Sequence, residues 1–143
     1  MESCFSANGV DGSVKMIEKA KSIDNINKYD CSDLSVWKPN SKKDVVMSME
    51  VMYYFEDPLR IIQNIFDNWL DSGGVFIMGI DYYLENKSSH DWPEKTNVSI
   101  MNLLSQKEWE KILIQSGLKK VRSWRHGNNE EWEGTLILTG TKN

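Results

Sequence analysis

Glu50 and His90 are the side chains whose type and setting suit them to move a proton near neutral pH, given a neighbour or burial to tune them. Glu50 leaves a short apolar run, Asp44-Val45-Val46-Met47-Ser48-Met49, and is followed by Tyr53 and Tyr54. His90 opens His90-Asp91-Trp92-Pro93 inside a long polar stretch. Either group could serve as the base for a nucleophile that arrives protonated; the plainer reading of His90 is a solvated loop residue. Tyr53, Tyr54, Tyr82 and Trp92 offer flat aromatic faces that attract cations or shape a pocket; the plainer reading is an apolar cluster. Asp11 lies in Asn8-Gly9-Val10-Asp11-Gly12-Ser13 and Asp33 in Tyr29-Asp30-Cys31-Ser32-Asp33-Leu34. Taken alone, the first is a turn, since Asp-Gly is a common turn pair, and the second an acidic loop. Cys4 and Cys31 show no ligand spacing, and 2 cysteines with 2 histidines do not build a structural zinc site, so no metal is expected. Free thiols in a reducing cytoplasm are the reading.

Charge and length exclude several classes. Lys plus Arg number 17 against 21 Asp plus Glu, for a net charge of -4, so the basic footprint of a nucleic-acid binder is missing. A length of 143 residues suits one domain spanning 1–143. No apolar run reaches the roughly 18 residues of a membrane helix, and Met1-Glu2-Ser3-Cys4-Phe5 does not read as a secretory leader.

The elements that must position these groups follow from periodicity. Val14, Met16, Ile17, Ala20 and Ile23 recur at helical spacing. Residues 44–49 read as a buried parallel strand. Asp57-Pro58 opens a helix, Asp capping free N–H groups and Pro occupying the first turn, where its missing N–H costs nothing. Its stripe runs Leu59, Ile61, Ile62, Ile65, Phe66, Trp69, Leu70, and Gly73-Gly74 is expected to end it. Val75–Ile80 is a second buried strand, so 44–80 reads as a strand–helix–strand crossover. Residues 81–104 are a long irregular loop, expected to be functional or mobile. Ser105 and Glu108 form a capping box, with Leu104 and Trp109 at staple positions. Lys119–Arg125 and Thr135–Thr139 pair as an antiparallel hairpin. The fold class is therefore α/β.

This organisation resembles the class I S-adenosylmethionine-dependent methyltransferases of the small-molecule type, from their second strand onward. The resemblance implies a Rossmann-like methyltransferase sheet, mostly parallel, closed by a C-terminal antiparallel hairpin. Asp11, with Gly12, matches the acidic residue that receives both ribose hydroxyls of the cofactor, two vicinal donors meeting two carboxylate oxygens; Met16 would then lie on the adenine. Asp33 and the Leu34 amide match the adenine-binding segment. The stretch Asp44 to Pro58 resembles the family's fourth strand and its exit, which assigns Ser48 and Met49 to the cofactor and Tyr53 and Tyr54 to the substrate, with Tyr82 and Trp92 expected to shape the substrate pocket. Glu50 and His90 become the catalytic candidates. Residues 88–140 resemble the C-terminal half of a methyltransferase-like subgroup.

One part of the family pattern is missing. The Gly-rich loop after the first strand has no counterpart, because Gly9 and Gly12 already belong to the acidic motif. The chain thus reads as N-terminally truncated, lacking a strand that is central in the family's sheet. A homodimer completing the sheet is one remedy, and direct pairing of the flanking strands another. The implied activity is methyl transfer from S-adenosyl-L-methionine to a small-molecule acceptor. The alternative is a non-catalytic methyltransferase-like interaction or regulatory module.

Overall fold

The computed structural model describes residues 6–143, in two compact units divided between Lys38 and Pro39. Cys4 lies outside the described residues. No helix among those described is long and apolar enough to cross a membrane.

The first unit is a parallel pair with its crossover helix: β1 (Asn8–Asp11), α1 (Val14–Ile23) and β2 (Lys28–Cys31), with Asn8 opposite Lys28 and Asp11 opposite Cys31. Ser13 caps α1, its hydroxyl accepting from the Met16 N–H at 3.4 Å. Of the expected apolar stripe only Ile17 is buried; Val14, Met16 and Ile23 are exposed. Asp24 ties the return to β2, accepting from the Asn27 side chain at 2.6 Å and the Tyr29 hydroxyl at 2.8 Å. Gly9 is required beneath that tyrosine, since a Cβ there would stand 2.6 Å from the ring.

The second unit carries a four-stranded sheet in the order β3 (Lys43–Met49), β4 (Leu70–Ile80), β6 (Thr135–Thr141), β5 (Lys119–His126). The β3–β4 pair is parallel and β6 runs against both its neighbours. Helix α2 (Pro58–Asn64) links β3 to β4, and α3 (Trp92–Thr96) and α4 (Gln106–Gln115) precede the hairpin. Phe76, Met78 and Ile80 of β4 are fully buried, with Leu138 opposite Met78 and Leu136 opposite Ile80. Ile61, Ile62, Trp109 and Leu113 complete the core. Each such side chain contributes roughly 1.5–3 kcal/mol by leaving water.

Three expectations need correction. First, Gly73-Gly74 does not end the helix. The chain passes through a π turn over Ile65–Trp69, where the Leu70 N–H returns to the Ile65 carbonyl, and β4 begins at once. Ile65, Trp69 and Leu70 are all buried by that turn, so packing decides where the helix stops. The glycines lie in the irregular start of β4: Gly73 is left-handed at φ 81, and a Cβ on Gly74 would sit 2.9–3.2 Å from the carbonyls of Asp71, Lys43 and Asp44. Second, β3 is parallel but not buried. Among the described residues its hydrogen-bonded neighbour is β4 alone, and Val45, Met47 and Met49 on one face are 60%, 70% and 48% exposed. In the first unit β1 pairs with β2. Third, the 81–104 stretch is not irregular throughout, since it holds a 3-10 turn over Lys87–Ser89 and α3. Tyr82, Tyr83, Asn86 and Ser89 are buried, Tyr83 donates to the Gly134 carbonyl at 2.8 Å, and the Leu84 N–H bonds the Leu104 carbonyl.

Candidate active site

The first unit brings its candidates to one end of the β1–β2 pair. Asp11 is the last residue of β1, and its carbonyl accepts the Ser32 N–H at 3.0 Å, which sets Asp33 one residue further on. One Asp11 carboxylate oxygen holds the Ser13 N–H at 2.7 Å; the other has no protein partner among the described residues. Asp33 accepts from the backbone and hydroxyl of Ser35 at 2.8 and 2.7 Å, which lowers its pKa. Gly12 is open, a Cβ there meeting only the Ser32 carbonyl at 3.9 Å. Met16 is exposed and Leu34 half-buried.

Ligands in an open α/β sheet sit beyond the carboxyl ends of the parallel strands. In the second unit Glu50 and Asp81 are the first residues beyond β3 and β4. The Glu50 N–H bonds the Gly79 carbonyl at 2.9 Å, extending the ladder by one step. Glu50 then turns left-handed at φ 56, a conformation that costs a residue with a Cβ about 1–2 kcal/mol. Its carboxylate accepts from the Tyr53 hydroxyl at 2.8 Å. Burial is the main cause that lifts the Glu50 carboxyl to about 7, with repulsion from Asp81 adding to it and the Tyr53 hydrogen bond opposing it. A carboxyl titrating there is matched to proton transfer at physiological pH.

Tyr53 and Tyr82 are core residues, while Tyr54 is 41% exposed. The rings form a ladder, with Tyr53–Tyr54 centroids at 4.4 Å, Tyr53–Tyr82 at 5.4 Å and Tyr82–Trp92 stacked at 6.3 Å. Burial raises the pKa of Tyr53 and of Tyr82, so both hydroxyls stay protonated donors. The Ser48 hydroxyl is buried with no partner among the described residues, and Met49, next in sequence, is exposed. His90 stands apart from this group in its bonding: it is exposed, with Nε2 2.9 Å from the Leu84 carbonyl. Sequence reasoning missed Asp81. The signal was available, since residue 81 follows a strand just as residue 50 does, but the register that makes them neighbours is not written locally.

The family described as "Methyltransferase domain" matches residues 2–123. Trans-aconitate 2-methyltransferase of Agrobacterium fabrum is 26% identical over 113 residues, 78% of this chain. The chain spans only 40% of that relative's length. Among solved structures, a chain from the Haloferax volcanii complex of the Trm112 activator with a methyltransferase superposes with TM-score 0.80 at 25% identity, covering 95% of this chain and 71% of its own. The N-methyltransferase NodS of Bradyrhizobium japonicum, solved with S-adenosyl-L-homocysteine, gives 0.68 at 16% identity over 97% and 67% of the two chains. The α/β fold is thus the Rossmann-like one these proteins share.

Proposed function

The chain belongs to the methyltransferase domain family, and from that membership we propose that it transfers a methyl group from S-adenosyl-L-methionine to a small molecule. The observation that carries the reading is a family match running through both strand-tip carboxylates, Asp11 and Glu50. The relatives support a small-molecule acceptor: one is a trans-aconitate methyltransferase, another an N-methyltransferase. When bound, the cofactor supplies an electrophilic methyl on a positively charged sulfur.

In this reading residues 1–143 act as one methyltransferase-like domain in the cytoplasm, where the exposed thiol of Cys31 stays free. The free carboxylate oxygen of Asp11 takes the ribose hydroxyls, with Gly12 leaving room. Asp33 and the Leu34 amide receive the adenine edge, and exposed Met16 its face. The unpartnered Ser48 hydroxyl and the Met49 side chain serve the methionine half; a buried hydroxyl without a partner fits a polar ligand that completes it. Tyr54, backed by Tyr53, Tyr82 and Trp92, orients the acceptor. Glu50 takes the proton in preference to His90, whose ring is engaged by a backbone carbonyl.

Calorimetric titration with S-adenosyl-L-homocysteine tests this. Binding by the parent chain, weakened at least tenfold by Asp11→Ala, is expected. No heat at millimolar ligand overturns the reading.

A second reading is favoured by the edge position of β3 in its sheet: a homodimer completing the sheet, in its extreme form a non-catalytic interaction or regulatory module. Sedimentation decides it. A monomer that binds S-adenosyl-L-homocysteine excludes the module.

A further inference from the structure

We infer that the acceptor carries a positively charged nitrogen, an alkylamine or arylalkylamine arriving as its ammonium form, and that Asp81 and Glu50 hold it together at the tips of β4 and β3. The inference deepens the methyltransferase reading of the same site and rests on it.

Four features of one neighbourhood point the same way. The two carboxylates stand at the tips of paired strands, since Met49 lies opposite Gly79 and the Glu50 N–H bonds the Gly79 carbonyl, and the Asp81 charge opposes ionisation of Glu50. Neither has a basic partner: the ion pairs among the described residues are Lys95–Asp91 and Arg125–Glu133. Arg125, which shares the Tyr83 surroundings with Asp81, Glu85 and Glu133, is held by Glu133 at 2.6 Å. The Asp81 Oδ1 atom is enclosed and accepts no hydrogen bond from the described residues. An enclosed carboxylate oxygen without a donor is destabilising, and an N–H donor brought by a ligand removes the deficit. Finally, Tyr54 presents an accessible ring beside Glu50's partner Tyr53, 4.4 Å away, and aromatic faces attract ammonium groups.

The same charges disfavour an acceptor that presents carboxylates. Such a molecule would bring a further negative charge to a half-buried site where the Asp81 charge already opposes ionisation of Glu50. An ammonium neutralises them instead, and the chemistry closes: an N–H bond breaks, its proton forms an O–H bond with Glu50, and the bonding pair stays on nitrogen as the lone pair a nucleophile needs. The groups facing Glu50 are the Tyr53 hydroxyl, next to Tyr54, and Asp81. None supplies a positive charge, so the ligand's charge is what favours the ionised Glu50.

The test is equilibrium binding to the full chain of three matched probes: 2-phenylethylammonium, 2-phenylethanol and phenylacetate. Tightest binding of the ammonium is expected, with the alcohol at least tenfold weaker and phenylacetate weaker still. A carboxyl titrating near 7 is about one-tenth ionised at pH 6, so ammonium affinity should fall up to tenfold from pH 8 to pH 6, with proton release. Asp81→Asn and Glu50→Gln should each weaken the ammonium at least tenfold and leave phenylethanol unchanged, with native circular dichroism. Equal affinity for the three probes, preference for phenylacetate, no ammonium binding at millimolar concentration, or insensitivity to both substitutions overturns the inference. A chain that binds S-adenosyl-L-homocysteine but no ammonium fails here alone. One that binds ammonium but not S-adenosyl-L-homocysteine fails as a methyltransferase and keeps its amine site.

Discussion

The Tyr53 hydroxyl donates to Glu50 Oε2 at 2.8 Å, across a turn in which Glu50 is left-handed and Tyr53 is buried. The bond stabilises the ionised carboxylate against the burial and the Asp81 charge that oppose ionisation. Tyr53→Phe removes the donor and keeps the ring. The acid limb of a pH–activity profile should therefore move to higher pH, with activity at pH 8 retained better than at pH 6.5. A limb unmoved, or moved down, separates Glu50 from the reaction.

Glu50 also makes stability depend on pH. Its folded carboxyl titrates near 7, above the ordinary 4.5, so the folded state binds the proton more tightly than the unfolded state. Stability then falls as pH rises from about 4.5 to about 7 and is level above. Solvent reaches this half-buried group, so the effect is on the order of 1 kcal/mol rather than the full shift. Glu50→Gln should abolish that slope, melting higher than the parent at pH 8 and equal to it at pH 4. Thermal unfolding at the two pH values checks this.

How far the sequence reveals such relationships depends on how local they are. The capping box reads directly because both partners lie within four residues: the Ser105 N–H bonds Glu108 Oε2 at 2.8 Å and the Glu108 N–H bonds Ser105 Oγ at 3.3 Å. Asp57 caps α2 for the same reason, accepting the Arg60 N–H at 3.1 Å. The hairpin follows from two strand-like runs around a polar loop. Gly73-Gly74 misled because glycine permits a helix stop without dictating one, and burial of Trp69 and Leu70 placed the stop earlier. The apolar run at Val45–Met49 gave the strand, but not which face has cover. Asp81 needed the register of β3 on β4, which no local pattern carries.

Ser105→Ala isolates one of those local contributions. Loss of the hydroxyl leaves the first turn of α4 without its side-chain cap, and the core residues Trp109 and Leu113 ride on that helix. A loss of about 1 kcal/mol is expected in urea unfolding, with cofactor and amine affinity unchanged. An unchanged midpoint shows that Glu108 alone is sufficient.

Lys142 shows what sequence distance conceals. Its ammonium donates to the carbonyls of Phe66 at 2.5 Å and Leu70 at 3.1 Å, more than seventy residues earlier in the chain, and sits 4.7 Å from the Phe66 ring centroid. Phe66 lies in the π turn that replaces the expected glycine stop, and Leu70 follows it directly. A cation there meets the negative end of the helix, so it stabilises the very turn that starts β4. Its backbone joins in, since the Lys142 N–H bonds the Gly74 carbonyl and its own carbonyl accepts the Gly73 N–H. Burial pulls the ammonium pKa down from its usual value, chiefly by desolvation, with Lys42 adding to the effect. Lys142→Met keeps most of the stem and removes the charge, leaving the backbone bonds in place. We expect a loss of about 1–2 kcal/mol in urea unfolding. Lys142→Arg should recover part of it through charge alone, and equal stability of the Met and Arg variants would show that the side chain acts by packing on Phe66 rather than by capping the turn.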